Sequence, residues 1–169
     1  MNTDLLTLME TRRSVRSFKP DMIPSDVIDQ IIKAGTYAAT GMNRQSPIII
    51  AVTNKKMRDR LSRMNAKIMG SDKDPFYGAP VVLIVLAKKE APTHVYDGSL
   101  VMGNLMLAAH ALDIGSCWIH RAKEEFESAE GQEILKDLGI EGEYEGIGHC
   151  VLGYVDGEYP ATHPRKDNW

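Results

Sequence analysis

One stretch of this sequence restricts the possible folds more than any other, because residues 97–112 are apolar nearly all the way round a helix. A helix with this pattern is buried, either in the middle of a domain or against another subunit. We expect the helix to end at Gly115, since glycine is common at a helix C-terminus. Its apolar residues are Leu100, Val101, Met102, Leu105, Met106, Ala108, Ala109, Ala111 and Leu112.

The segments around this helix predict an α+β domain with a mixed central β-sheet flanked by helices. Apolar runs predict strands at 48–52, 81–86, 116–119 and 149–155, and the first two are apolar on both faces, as central strands are. Helical periodicity predicts further helices at 4–11, 25–38, 55–68 and 128–138. Thr3 and Asn54 are the expected caps of two of them. Two leading helices followed by an uneven alternation favour the α+β class.

The composition is that of a globular protein with a single domain, residues 1–169. Of the 169 residues, 43% are hydrophobic and 25% are charged, which suffices for a buried core. No apolar run approaches the roughly 20 residues that span a bilayer, so we expect no membrane partner. The N-terminus shows no export signal, and Cys117 and Cys150 lie in apolar stretches. The sequence therefore predicts a cytoplasmic protein with buried, reduced thiols.

A cationic segment near the N-terminus contrasts with the acidic chain around it. Arg12, Arg13, Ser14 and Arg16 fall within five residues, whereas the formal net charge is -3. That charge argues against nucleic acid as the main partner, because binding a phosphate backbone needs a broad basic face. Arginine suits a single anion, since its planar fork donates two parallel hydrogen bonds to phosphate. Taken alone, however, the segment fits a solvated surface loop better than a binding site.

Several other kinds of site have no support in the sequence. The glycine patterns GxGxxG and GxxxxGK[ST] are absent, which removes the standard glycine-rich phosphate loops. No histidine is paired with another ligand at helical spacing, so no metal is expected. Cys117 and Cys150 have the flanks of inert core thiols, and no glycine elbow surrounds Ser14. These exclusions leave a phosphate-bearing ligand that is held mainly by side chains.

A polar loop and a basic tail strengthen the interpretation of the arginine segment as a site. The loop at 40–47 contains Asn43 and Gln45, whose amides can donate and accept hydrogen bonds at the edge of a ring system. Alone these are also ordinary loop residues. Arg165 and Lys166 stand near the far end of the chain. Together the three segments describe a ligand with an anionic end and a polar ring.

Six motifs, in their order and spacing, make this chain resemble the FMN-dependent nitroreductase family. They are RRSVRSF, ATGMNRQSP, FYGAPVVLIV, DGSLVMGNLMLAAHALDIGSCWIH, GIGHCVLGY and the basic tail. The resemblance covers essentially the whole chain and implies a nitroreductase-like fold. It also implies an obligate homodimer with two FMN sites, each built at the interface from both chains, and a long buried helix at that interface.

The resemblance assigns FMN-binding residues one at a time. The segment that holds the phosphate and ribityl groups is matched by Arg12, Arg13, Ser14 and Arg16, the last of these near the pyrimidine edge of the flavin. The loop that reaches the cofactor, partly from the partner subunit, is matched by Thr40, Met42, Asn43 and Gln45. The strand exit along the isoalloxazine, with a backbone N–H near N5, is matched by Ile119, His120 and Arg121. The remaining phosphate side is matched by Gly153, Arg165 and Lys166.

This chain departs from the family pattern at three places. Many members have Pro-Ser and Pro-Trp around the partner loop, where this chain has Ala39-Thr40 and Ser46-Pro47. The exact contacts of that loop with FMN therefore stay open. His120-Arg121 stands where some relatives carry Glu-Gly, which makes the surface facing the flavin more basic. The family often continues past the basic tail with a segment that wraps the partner, whereas this sequence ends at Trp169.

The function implied by the resemblance is that of an FMN-dependent oxidoreductase. NADH or NADPH passes hydride to flavin N5 and leaves, and a nitroaromatic, a quinone or a similar small acceptor then takes the same place, which predicts ping-pong kinetics. Arg16 is expected to stabilise negative charge at N1 and O2 of the reduced flavin. No side chain is expected to act as a covalent or general-base catalyst. The alternatives are a flavin-binding sensor or storage protein, another reaction of the same superfamily, and a non-flavin anion-binding module.

Overall fold

An antiparallel sheet forms the centre of the protein, and its strand order is β1-β2-β4-β3. The computed structural model describes residues 4–168. Strands β2 and β4 occupy the interior of the sheet, and β1 and β3 occupy its edges. The strands are β1 (Pro47–Val52), β2 (Val81–Lys88), β3 (Gly115–Ile119) and β4 (Tyr144–Gly153).

Helices pack on both faces of the sheet. They are α1 (Leu5–Thr11), α2 (Ser25–Thr36), α3 (Lys55–Met69), α4 (His94–Ala111), α5 (Ala122–Glu127) and α6 (Ala129–Asp137). Side chains of β2 alternate between the two faces, as the pleat of a strand requires. Leu83 and Val85 pack with α2 and α4 on one face, and Ile84 and Leu86 pack with α3, α5 and α6 on the other.

The predicted α+β class is confirmed, while the expected mixed sheet is corrected. All three strand pairs of the sheet are antiparallel, and within residues 4–168 the parallel component is a single bridge between Ser14 and Ser116. The strand predicted at 48–52 is an edge strand rather than a central one. Both of its faces are covered, since Ile49 packs on the side of α2 and α4 and Ile48 and Ile50 pack on the other side, but residues 47–50 stay half-buried at the sheet edge.

Several predicted boundaries also change. Strand β4 begins at Tyr144, whereas the sequence predicted residue 149. The prediction missed the first residues because the glycines at 146 and 148 interrupt the apolar alternation. Gly115 does not end the long helix, which stops at Ala111, and it is instead the first residue of β3. Helix α5 was not predicted, since six residues are too few to show helical periodicity.

Caps explain where two of the helices begin. Asn54 caps α3 as predicted, since its side chain accepts a hydrogen bond from the backbone N–H of Met57. Asp4 caps α1 by accepting from the backbone N–H of Leu6, and the predicted cap Thr3 lies outside the described residues. Ile68, which was expected in the core, is 40% exposed at the end of α3.

Candidate functional site

The arginine segment runs in extended form from the end of α1 along the edge strand β3. The backbone N–H of Val15 donates to the carbonyl oxygen of Ser116 over 2.9 Å. The side chains of Val15 and Phe18 are buried and anchor the segment to the core. This anchoring fixes the backbone on either side of Arg16, whose side chain is exposed.

A cavity of about 310 Å³ lies between the arginine segment and the C-terminal tail, residues 157–168. The sequence predicted that these two distant segments contribute to one site, and the fold brings them together. Lys166 is exposed and is not among the lining residues. The cavity is lined by Arg12, Arg13, Ser14, Arg16, Pro160, Ala161, His163 and Arg165.

One guanidinium nitrogen of a residue that lines this cavity is buried without a protein partner. The Nη1 atom of Arg12 is buried without a hydrogen bond, whereas Nη1 of Arg13 donates to the carbonyl oxygens of Glu10 and Arg12. A buried charged donor without an acceptor is costly, and an anion in the cavity removes that cost. The residues present therefore fit the phosphate group of a ligand such as FMN.

The loop at 40–46 has an unusual backbone. Met42, Asn43 and Gln45 all have positive φ angles, of 54°, 53° and 48° respectively. Such angles are uncommon for residues other than glycine, and they persist where surrounding contacts enforce them. The side chains of Met42, Asn43 and Gln45 are exposed. The loop therefore presents its side chains outward from a tightly constrained backbone.

Asp97, near the start of α4, holds this loop in place. Its carboxylate is buried and accepts hydrogen bonds from the backbone N–H of Gly41 at 2.9 Å and from the hydroxyl of Ser46 at 3.3 Å. The Thr93 hydroxyl donates to the same carboxylate over 3.0 Å. Sequence reasoning missed this role. The available signal was a lone acidic residue at the start of an otherwise apolar helix.

In the part of the chain that the structure describes, the loop at 40–46 and the arginine segment line different cavities. Thr40 and Gln45 border a cavity beside α2 and β1. Gln45 also borders a larger open cavity, of about 640 Å³, together with Arg44 and Lys88. The loop residues Thr40 and Gln45 thus lie apart from the arginine segment in the monomer.

The exit of β3 is held by a buried asparagine on α3. The Asn65 side chain donates from Nδ2 to the carbonyl oxygen of His120 over 2.8 Å and accepts from Nε of Arg121 over 2.9 Å. Ile119 is buried, whereas His120 is exposed. Arg121 has a φ of 77°, in the left-handed region that favours glycine.

A buried acid–base pair lies next to this exit. His149 on β4 is paired with Ile119 in the sheet, and its Nε2 atom lies 2.8 Å from Oε2 of Glu125 on α5. Both side chains are fully buried, and their contact lacks the alignment of a hydrogen bond. The close approach of α5 requires Gly146, since a Cβ there would lie 2.1 Å from the carbonyl oxygen of Ala122. Sequence reasoning missed this pair.

Gly153 and the two cysteines lie in tightly packed surroundings. Gly153 ends β4, and a Cβ there would lie 2.8 Å from the Phe18 ring, so this glycine permits close packing and does not line the cavity. Both cysteines are buried and free, and burial raises the pKa of the Cys117 and Cys150 thiols.

Within residues 4–168, no helix is long and apolar enough to cross a membrane.

Comparison with known proteins identifies the family. A sequence model described as the Nitroreductase family matches residues 9–74 and 66–154. A curated relative from Methanothermobacter thermautotrophicus, provisionally named NADH dehydrogenase/NAD(P)H nitroreductase, is 28% identical over 124 residues. That match covers 68% of this chain and 60% of the relative, so the chain spans less than two thirds of the relative's length.

Two solved structures extend the similarity to the fold. A nitroreductase with bound FMN from Bacteroides fragilis is 27% identical with a TM-score of 0.88, over 98% of this chain and 96% of that one. A nitroreductase with bound FMN from Desulfitobacterium hafniense is 26% identical with a TM-score of 0.86, over 100% and 98%. The predicted nitroreductase-like fold is confirmed, and the chain belongs to the Nitroreductase family.

Proposed function

We propose that this protein is an FMN-dependent oxidoreductase that uses NADH or NADPH to reduce nitroaromatics, quinones or similar small acceptors. The observation that carries the proposal is the unpaired Arg12 Nη1 at a cavity lined by further cations. Solved relatives with this fold hold FMN, and the provisional name of the archaeal relative supports NAD(P)H as the reductant. We expect activity in the cytoplasm, where the two free cysteines stay reduced.

The residues of the cavity divide into two tasks in this proposal. Arg12, Arg13, Ser14 and Arg165 bind the FMN phosphate, for which guanidinium groups are well suited. Arg16 lies at the outer end of the segment and stabilises negative charge on the pyrimidine side of the flavin. The backbone at His120 and Arg121 faces the isoalloxazine, and Lys166 and Gly153 remain predictions for the phosphate side.

Bound FMN supplies hydride transfer between the nicotinamide and the acceptor. The protein contributes orientation, exclusion of water and electrostatic stabilisation, so no side chain acts as a general base. Because both substrates use one open face in turn, ping-pong kinetics are expected.

The proposal includes a homodimer in which the partner loop completes each site. Exposed apolar residues support it, because Leu5, Leu6 and Met9 on α1 and Tyr96 and Leu100 on α4 all lie open to solvent. Large apolar side chains grouped on a surface mark interaction sites. The loop residues Thr40, Met42, Asn43 and Gln45 would then reach the flavin of the other subunit.

Titration with FMN and turnover assays test the proposal. We expect wild-type protein to retain FMN and to oxidise NADH or NADPH when a nitroaromatic or a quinone is present. Arg12→Ala is expected to weaken FMN binding at least about tenfold, because a charge-assisted hydrogen bond is lost. Arg63→Ala, which removes an exposed arginine from α3, is the matched control and should bind FMN as the wild type does.

The outcomes separate the alternatives. A protein that never retains flavin contradicts the proposal. Retention of FMN without oxidation of NADH or NADPH supports a flavin-binding sensor or storage protein instead. Arg16→Ala is expected to lower FMN affinity or the rate of flavin reduction, and unchanged values for both would contradict its role.

A further inference from the structure

The C-terminal tail is attached to the body of the protein through one aromatic residue. The backbone N–H of Asp156 donates to the Ser17 carbonyl oxygen. Three residues further along the chain, Tyr159 stacks on the imidazole of His110, with ring centroids 5.3 Å apart and planes inclined by 20°. Beyond this point, residues 160–168 make no hydrogen bond or ion pair with any described residue. The position of the tail therefore depends on Tyr159.

Hydrogen bonds connect Tyr159 to the arginine segment and to α1. The backbone N–H of Arg13 donates to Oη of Tyr159 over 2.8 Å. Oη lies 3.1 Å from Nδ1 of His110, whose Nε2 lies 3.0 Å from Oγ1 of Thr11. The Thr11 hydroxyl donates to the Thr7 carbonyl oxygen over 2.6 Å.

The donor and acceptor of each of these hydrogen bonds can be assigned. Because the Thr11 hydroxyl proton is used on a carbonyl, its oxygen accepts from Nε2–H of His110. Nδ1 is then the acceptor in a neutral imidazole, and the Tyr159 hydroxyl donates to it. When His110 carries its proton on Nε2, each of these four hydrogen bonds has one donor and one acceptor.

The charges around His110 favour this neutral state. Burial and, next, the nearby Arg12 guanidinium lower the pKa of His110, Asp113 partly opposes them, and Arg13 lowers the pKa by a smaller amount. The same arginines that line the cavity thus keep Nδ1 available to Tyr159.

We propose that Tyr159 and His110 are positioning residues for the phosphate end of FMN. With Thr11 they form a tail clasp that holds the tail across the arginine segment, so that Arg165 faces the cavity beside Arg12. This inference rests on the proposed function. Tyr159 acts through the tail, because Pro160, Ala161 and Arg165 line the cavity whereas Tyr159 does not.

Paired flavin titrations test the clasp. Tyr159→Phe keeps the ring but removes the hydroxyl, and it is expected to weaken FMN binding about fivefold, the effect of one hydrogen bond. Riboflavin lacks the phosphate, so its affinity should stay within about twofold of wild type. Tyr77→Phe is the control, because Tyr77 is 41% exposed in a loop that does not line the cavity.

A double-mutant cycle distinguishes positioning from a general loss of structure. If Tyr159 acts through Arg165, then Tyr159→Phe should change FMN affinity by less than about twofold when Arg165→Ala is already present. A full effect of Tyr159→Phe in that background overturns the proposal, as does wild-type FMN affinity in the single variant. Equal weakening of FMN and riboflavin also overturns it.

Proteolysis of the flavin-free protein gives an independent readout. Trypsin should cleave after Arg165 or Lys166 faster in Tyr159→Ala than in wild type, measured by mass spectrometry, and an unchanged rate contradicts the clasp. If wild type binds neither flavin, the proposed function fails as well. If wild type binds FMN and the Tyr159 variants behave like it, only the clasp fails.

Discussion

At the scale of single residues, Arg121 combines an unfavourable backbone with a specific contact. Its left-handed φ of 77° is costly for any side chain that has a Cβ. Its Nε atom recovers part of that cost by donating to Asn65. The strand exit therefore keeps its shape through a side-chain bond where a glycine would adopt the shape freely.

Two substitutions separate the strain from the contact. Arg121→Ala and Arg121→Gly both lose the bond to Asn65, but only glycine relieves the strained φ. We expect the glycine variant to be more stable than the alanine variant by about 1 kcal/mol, measured by urea unfolding. An alanine variant as stable as the glycine variant would show that the backbone at this position carries no strain.

At the scale of elements, the loop at 40–46 and helix α4 form one unit. Three non-glycine residues of the loop have positive φ angles, and Asp97 on α4 holds both ends of the loop through Gly41 and Ser46. The loop geometry is thus set by a buried carboxylate from a distant element. A constrained loop of this kind loses little further entropy when it binds a ligand.

Removing the charge of Asp97 is expected to loosen the loop. Asp97→Asn places an amide donor among the donors of Gly41, Ser46 and Thr93, and it should lower the free energy of unfolding by about 1–3 kcal/mol. We also expect weaker FMN binding, measured by flavin titration. Asp29→Asn on the exposed side of α2 is the control and should change neither quantity. Unchanged stability in Asp97→Asn would mean that the loop holds its conformation without the carboxylate.

At the scale of the whole molecule, the monomer leaves two kinds of feature incomplete. Apolar side chains of α1 and α4 are exposed, and the loop residues Thr40 and Gln45 line other cavities than the arginine segment does. The proposed homodimer would account for both, since one interface can cover the apolar residues and bring a partner loop to each arginine segment.

Charge placed on the proposed interface tests the dimer. Leu100→Glu is expected to weaken dimerisation at least about tenfold and to weaken FMN binding with it, because a charge would be buried between subunits. Sedimentation velocity measures the oligomeric state. Leu138→Glu, at the end of α6, is a matched control because Leu138 is 52% exposed. A wild-type monomer that binds FMN fully would contradict the shared site.

The sequence alone determined most of the elements and the capacity of the arginine side chains to bind an anion. Apolar runs and helical periodicity identify buried faces locally, so most helices and strands could be predicted, and guanidinium groups bind anions wherever they lie. The short helix α5 and the early start of β4 escaped prediction because six residues, or a run with glycines, carry too little periodicity.

Only the tertiary structure decided which side chains meet. Asp97 holds a loop from which it is separated by an entire helix and two strands. Glu125 contacts His149, and Tyr159 contacts His110. Periodicity specifies that a face is buried, but it does not specify the partner across the interface. Pairings of this kind follow from packing, since they exist only once the sheet and its helices are assembled.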